Sequence, residues 1–536
     1  MTRLPSHRSG GAGLVAAGIL LSRIFGLARS RLLGHFLGTG DAMDALTAAI
    51  RIPNFLQNLF GEGVLSASFI PVYAGLVADG DDEEAGRIAG AIGALLALAS
   101  TVLVLVGIAL APLAIPLIAP GFDHDKRELT ILLVRIMFPG VGLLVLSAWA
   151  LGVLNTHGKF FLSYASPVAM NAVMIAALLW YGPRTNGTLE GHVHLVTVLA
   201  WASVAGSAAQ LGVQLPVVWR VERMLRLRGG LRTRVRGGPV AAVFSNFLPV
   251  FFGRGVVQIS GYIDGLIASL IVGGSVAILG YAQVITMLPV SLFGMSVSAA
   301  VLPEMSAARG DDDNVKAALR ATLGDALRRV AFYVVPSAVA FLALGDVIGG
   351  ALYQTGEFTR DHVVWLWGVL AGSSVGLLAG TLGRLYASTW YALRDTRTPL
   401  VFAVVRVTLT AGLGLIASLW LPGWLGLDAR WGVAGLTASA GAAAWLEFTL
   451  LRRSIARRIG AVEVGGRYLL TLWSCAFVAA LPAFGIKLAV GTTHPVALGL
   501  VALSVYGSAY LALAATFGIG EVSAVRGRIA RLFGRS

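Results

Sequence analysis

The sequence predicts an all-α polytopic membrane protein of about 14 transmembrane helices. They form two six-helix lobes related by a pseudo-two-fold axis along the membrane normal, with two extra helices toward the C-terminus. Three observations carry this reading. Of 536 residues, 57% are apolar and only 13% charged, against about 25% charged in a soluble globular chain. Mean hydropathy is +0.79. Apolar stretches of the roughly 20 residues that a bilayer requires recur along the whole chain, and a sequence pattern from the first half returns about 230 residues later.

The expected spans are 12–36, 42–77, 86–118, 127–155, 160–181, 193–219, 239–272, 276–306, 316–348, 362–392, 398–421, 431–451, 465–489 and 494–517. Several exceed the bilayer thickness and should tilt, kink or protrude. The organisation that follows is an N-lobe at 1–220, a basic loop at 221–238, a C-lobe at 239–458, and a final pair of spans with a basic tail at 459–536. No cleavable signal peptide is expected, because the first apolar stretch contains Arg23 and lacks a small-residue cleavage site.

Orientation follows from charge. The net charge is +14. With the N-terminus inside, the inner connections hold the run Arg220, Arg223, Arg226, Arg228, Arg232, Arg234 and Arg236, together with Arg394–Arg397, the group Arg452 to Arg458, and the tail from Arg526 to Arg535. The outer connections hold only scattered bases such as Lys126, Arg184, Arg360 and Arg430. This asymmetry places both termini in the cytoplasm. The basic balance reads as topological anchoring beside anionic lipid rather than as a nucleic-acid surface.

The duplication is visible in detail. Leu59-Phe60-Gly61 through Pro71 resembles Leu292-Phe293-Gly294 through Pro303, and Ile115 to Asp123 resembles Gly350 to Thr359. The separation corresponds to six spans, so the two halves share one topology. Such repeats are common in alternating-access transporters, which place the substrate between the lobes.

Ionisable groups inside spans are costly and mark pathways or pairs. The first span holds Arg23 and Arg29, roughly 120° apart on a helix of 3.6 residues per turn. Asp44 opens the second, which also contains Arg51, Gln57, Asn58 and Glu62; Arg254 and Asp264 lie in the seventh and Arg384 in the tenth. Several arginines in an apolar cavity would attract an anion, and the guanidinium fork suits phosphate. The competing reading is pairing between helices, such as Arg29 with Asp44. It weighs most for Arg135 and Arg406. Glu62 lies between Gly61 and Gly63, where a close helix contact is as good a reading as substrate contact.

No enzyme is expected. No Gly-Lys-Ser/Thr phosphate loop or HExxH motif occurs. His192 and His194 read as solvated loop residues, and the single cysteine, Cys475, sits among apolar neighbours as a packing residue. The expected cofactor list is empty.

The N-terminal block Ser22-Arg23-Ile24-Phe25-Gly26-Leu27-Ala28-Arg29, then Gly38, Gly40, Asp44-Ala45 and Ile52-Pro53-Asn54 with Leu56, Phe60, Glu62-Gly63 and Ser66, resembles the MurJ (MviN) lipid II flippase family. Leu154-Asn155-Thr156, Pro167, Asn171, Gln258-Ile259-Ser260, Phe358-Thr359 and Asp395-Thr396 with Thr398-Pro399 fit the same family. The resemblance covers the first twelve spans. It implies membership in the multidrug/oligosaccharidyl-lipid/polysaccharide exporter superfamily and transfer of the lipid-linked peptidoglycan precursor, lipid II, to the outer leaflet. It further implies a central cationic cavity for the diphosphate-sugar headgroup and a groove at the last two helices for the polyprenyl tail. On that resemblance Arg23 and Arg29 are headgroup contacts, and Asp44 is a cavity-lip carboxylate.

Two departures stand out. Family members often carry bases where this chain has Gln57 and Asn58, and an Asp-Arg pair where it has Gln283 and Val284. Arg254 and Arg384 are expected to supply the missing charge. Asp264 and Asp395 fall where some members bind sodium, so a sodium ion or the membrane potential is the candidate drive. The expected partners are lipid II or a similar polyprenyl-diphosphate glycolipid, membrane lipids and the cell-wall synthesis machinery, with the chain a monomer. The alternatives are a flippase for an O-antigen or capsule unit, a drug/cation antiporter of the same superfamily, which arginines disfavour, and a non-transporting cell-wall scaffold.

Overall fold

Apart from one isolated bridge between Thr355 and Phe358, the described residues form helices and the turns joining them, as the composition predicts. The computed structural model describes residues 10–60, 65, 68–221, 262–307, 313–462, 464–490, 494–523 and 527. Among these, eleven helices are long and apolar enough to cross a membrane. The protein is a multi-pass membrane protein. Contacts divide the chain into two units, Met1–Ser269 and Leu270–Ser536, so residues 262–269, the described part of the seventh expected span, pack with the first.

In the first unit, α1 (Gly10–Leu37) and α2 (Asp41–Phe60) meet at a tight corner. Gly38 turns it with φ +52°, and Asp41 and Asp44 in the first turn of α2 favour its N-terminal dipole. Next, α3 (Ile70–Asp79) stops at Gly80 in the left-handed region. Asp81 then caps α4 (Asp82–Ile118), accepting from the Glu84 amide. The acidic run of the sequence is thus a stop-and-start signal between two helices. One face of α4 leaves Leu105, Leu113 and Leu117 exposed, a side for lipid. The core lies along α5 (His124–Thr156), where Leu133, Val134, Val141 and Val153 are fully buried. Two shorter helices, α6 (Phe160–Ala165) and α7 (Pro167–Tyr181), make up the expected fifth span. α8 (Leu189–Val221) packs on α5. It starts earlier than expected, so His192 and His194 belong to its first turns instead of a loop.

In the second unit, α9 (Ser275–Pro289) passes through a π turn at Val290–Met295 into α10 (Ser296–Ala307). α11 (Asp313–Tyr353) is kinked at Leu344. It packs on α12 (Arg360–Ala392), and α12 in turn packs on α14 (Gly432–Ile459). Between those two, α13 (Arg397–Leu415) also leans on α14. The last pair, α15 (Gly466–Val490) and α16 (Pro495–Thr516), rests on α11.

Proline explains how that pair is held. Pro336 inside α11 has no amide hydrogen, so the carbonyl four residues earlier, at Phe332, loses its helical donor. Tyr510 of α16 donates its hydroxyl to that carbonyl at 2.7 Å, and Tyr506 donates to the Pro336 carbonyl at 2.8 Å. At the opposite end of the pair, Lys487 of α15 and Arg360 both bind Asp346, which is 4% exposed, at 3.0 and 2.8 Å.

The repeat is legible in local structure. Phe122 and Phe358 are both buried, and the residue after each caps a helix: Asp123 accepts from the Lys126 amide, and Thr359 forms a capping box with His362. The α12–α14 crossing brings two glycines together; a Cβ on Gly376 would stand 2.3 Å from the Cα of Gly441. Gly376→Ala should therefore destabilise the purified protein by about 1–3 kcal/mol through overpacking, read as a lowered thermal midpoint in detergent. An unchanged midpoint would mean the two backbones can separate freely.

Candidate functional site

The site is built first from α1. Arg23 is exposed and Arg29 half-buried. Among the described residues neither makes an ion pair or a side-chain hydrogen bond, and the Arg29 Nε is buried without an acceptor. Two guanidinium groups on one apolar helix therefore keep their donors available. The expected alternative, a pair between Arg29 and Asp44, does not form.

Asp44 instead faces Lys126. It is 1% exposed, and its Oδ2 lies 3.3 Å from the Lys126 Nζ, which also pairs with Asp41 and sits 5.1 Å above the Phe122 ring. The first turn of α2 and the first turn of α5 are thereby tied by an ion triad that is buried at Lys126 and Asp44 and open at Asp41. Sequence reading took Lys126 for a loop base, since nothing in the spacing connects it to a carboxylate 82 positions earlier.

Asp264 lies beside Arg51 of α2, close enough for their charges to attract. Tyr262 donates its hydroxyl to the Arg51 carbonyl and meets Phe55 edge-on at 5.1 Å. The Arg51 guanidinium rests directly over Gly265, where any Cβ would overlap it. A carboxylate facing this arginine is a poor cation ligand. Asp395 is a cap: it accepts from the Arg397 and Thr398 amides at 2.9 and 3.0 Å and from the Thr398 hydroxyl at 2.7 Å. Those hydrogen bonds from Thr398 hold its carboxyl below the usual range. Among the described residues no group of three or more His, Cys, Asp or Glu could hold a metal.

In the second unit Arg384 of α12 is exposed, in the company of Arg406 and Glu447. Arg406 pairs with Glu447 at 3.0 Å, between α13 and α14, which is the helix-to-helix reading for Arg406. Among the described residues Arg384 makes no ion pair. Arg135 donates its Nε to the Ile108 carbonyl at 3.3 Å. Glu62 and Arg254 lie outside the described residues.

Two features were not read from the residues themselves. One is a buried polar seam in the first unit. Gln210 donates to the Ser147 hydroxyl at 2.9 Å, Ser147 donates to Gln214 at 2.7 Å, and Gln214 donates to Ser166 at 2.9 Å. Each donor has an acceptor, so the seam fixes helix register and leaves little for a ligand. The other is a groove of about 1280 Å³ within the second unit, bounded by the π turn, α10, α11, the start of α15 and the chain following α16.

The sequence pattern described as "Lipid II flippase MurJ" matches residues 33–507. A Burkholderia cenocepacia protein described as "Lipid II flippase MurJ" is 31% identical over 441 residues, covering 82% of each chain. A Haemophilus influenzae protein described as "Probable lipid II flippase MurJ" is 30% identical over 415 residues, covering 74% of this chain and 78% of its own. Among solved structures, "Lipid II flippase MurJ, inward closed conformation" superposes with a TM-score of 0.74 at 23% identity, covering 94% of this chain and 98% of that one. An inward-facing multidrug resistance transporter of the MATE family gives 0.65 at 17% identity over 83% and 98%. These structural likenesses show the fold.

Proposed function

The chain belongs to the lipid II flippase MurJ family, and on that premise we propose that it carries lipid II from the cytoplasmic to the outer leaflet of the bacterial inner membrane. The observation that carries the reading is the pair Arg23 and Arg29, two arginines within one largely apolar helix with no carboxylate partner among the described residues. An arginine in hydrocarbon normally pairs with something. The diphosphate of a lipid-linked sugar supplies that partner, bidentate and charged.

The transport follows from charge and solubility. The polyprenyl tail stays in the bilayer while the diphosphate and sugars need a polar route, and alternate opening of two lobes gives one. Arg384 is the contact proposed from the second unit, and Arg254 and Glu62 are proposed from the sequence alone. Buried Asp44 serves best as an anchor for the α1–α2 corner that aims Arg29. An inside-negative potential drives an anion outward by about 2.3 kcal/mol per charge per 100 mV, and the capped Asp395 and arginine-facing Asp264 favour this electrical drive over a bound sodium ion. Both termini lie in the cytoplasm on the charge asymmetry of the loops.

The test is replacement. A bacterium depleted of its own lipid II flippase and expressing this chain should regain lipid II at the outer surface, measured by labelling with an impermeant reagent. Protein present in the membrane without that recovery would move the assignment to another lipid-linked glycan or to a scaffold.

A further inference from the structure

We propose that Glu447 stands in for the cargo: before cargo binds, its carboxylate holds Arg406, and the arriving diphosphate displaces it, so that Arg406 joins Arg384 as a second contact from the second unit. The inference rests on the diphosphate-lipid reading above and deepens it.

Three charges from three helices meet here. Arg406 of α13 donates from Nη1 to Glu447 Oε2 of α14 at 3.0 Å. Arg384 of α12 lies near enough for its charge to sense both. Their depth is similar. Counted from the helix ends at Ala392, Arg397 and Ile459, the three stand roughly 12–18 Å along the axis at 1.5 Å per residue. The pair is not sealed. The Arg406 side chain is 32% exposed, and Arg384 of α12 is exposed. Tyr391, also exposed and also from α12, lies near enough to Glu447 to sense its charge.

The chemistry assigns the exchange. An arginine left in hydrocarbon without an anion is costly. A fixed carboxylate meets that need between cargo molecules, and it takes one cation out of use. A diphosphate offers two charged groups, each matched to the guanidinium fork. It therefore competes well with a single carboxylate for Arg406, and the Tyr391 hydroxyl is at hand to donate to the carboxylate that is let go. Release runs in reverse. Glu447 stays tethered beside Arg406, at the high effective concentration of a linked group, and reclaims it as the headgroup leaves. The carboxylate thus lowers affinity and speeds turnover. A plain tie between α13 and α14 would have no use for a third charge at the same depth.

The experiment uses the full chain in a non-ionic detergent and a sugar-free polyprenyl diphosphate as probe, with affinity read by native mass spectrometry. Glu447→Gln should tighten binding by about tenfold or more, the worth of one freed charge-assisted hydrogen bond. It should also lower lipid II exposure in cells that depend on this chain, because cargo is held. Adding Arg406→Gln should cancel the gain. Adding Arg406→Lys should cancel most of it, since the charge stays and the fork is lost. Glu447→Asp keeps the charge but draws it back by one methylene, and should tighten binding by a smaller factor. Glu357→Gln removes the same charge from the exposed turn between α11 and α12 and should leave affinity unchanged. Unchanged affinity in Glu447→Gln, with a lowered thermal midpoint, would make the pair a simple helix tie and overturn the exchange. So would a gain that survives Arg406→Lys in full, which a general field would produce, or weaker binding by Glu447→Asp. If the tightening holds while the wild-type chain exposes no lipid II in cells, the transport reading falls alone.

Discussion

Replacing Arg23 and Arg29 together with alanine should abolish lipid II exposure in cells that depend on this chain, with the protein still present in the membrane. Neither side chain supports another protein group among the described residues, so their loss should leave the fold intact. What is lost is charge-assisted hydrogen bonding to the diphosphate, about 1.5–3 kcal/mol for each bond. Two arginines making one such bond each amount to roughly 3–6 kcal/mol, a hundredfold to ten-thousandfold fall in transport rate at limiting substrate. Lysine at both positions keeps the charge and loses the fork, so it should give an intermediate rate. Exposure equal to wild type in the alanine variant would discard these arginines as the site and retain the function.

Lys126→Met should do the opposite, damaging stability first. It strips the ammonium from a carboxylate that is 1% exposed and already committed to the ion triad. Breaking a buried pair from one side costs about 3–5 kcal/mol, so the thermal midpoint in detergent should fall steeply and the protein should be scarce in cells. Adding Asp44→Asn should recover most of the loss, because the buried charge leaves with its partner. If Asp44 were instead a headgroup ligand, the double variant would regain stability without transport, so stability and transport together separate the two roles. A fall of less than about 1 kcal/mol in Lys126→Met would show that the pair is well solvated and contributes little.

How far the sequence could be read depends on distance along the chain. Apolar runs, loop charges and the likeness of Ile115–Asp123 to Gly350–Thr359 are local, and they led to the helical membrane fold and the expected repeat. Arg23 and Arg29 were legible for the same reason: a charge in an apolar run announces itself. The partner choices were not. Lys126 with Asp44, Arg406 with Glu447 and Gln214 with Ser147 are set by helix packing, and a period of 3.6 residues says which face a residue occupies but not what stands opposite it. Asp395 is a case of another kind. Its Asp-x-x-Thr spacing is a capping signal in its own right, yet the resemblance drew attention to ions. A groove at the last two helices was expected from the resemblance alone; which residues line it follows from how the last pair meets α11.

The bonds between the Pro336 turn and the last pair also make one helix depend on another. A proline in a membrane helix releases a carbonyl that hydrocarbon cannot satisfy, at a cost of several kcal/mol unless a neighbour steps in. Tyr510 is that neighbour. The last pair is therefore structural cover for α11: without Tyr510 the Phe332 carbonyl would be left bare in a helix that hydrocarbon surrounds.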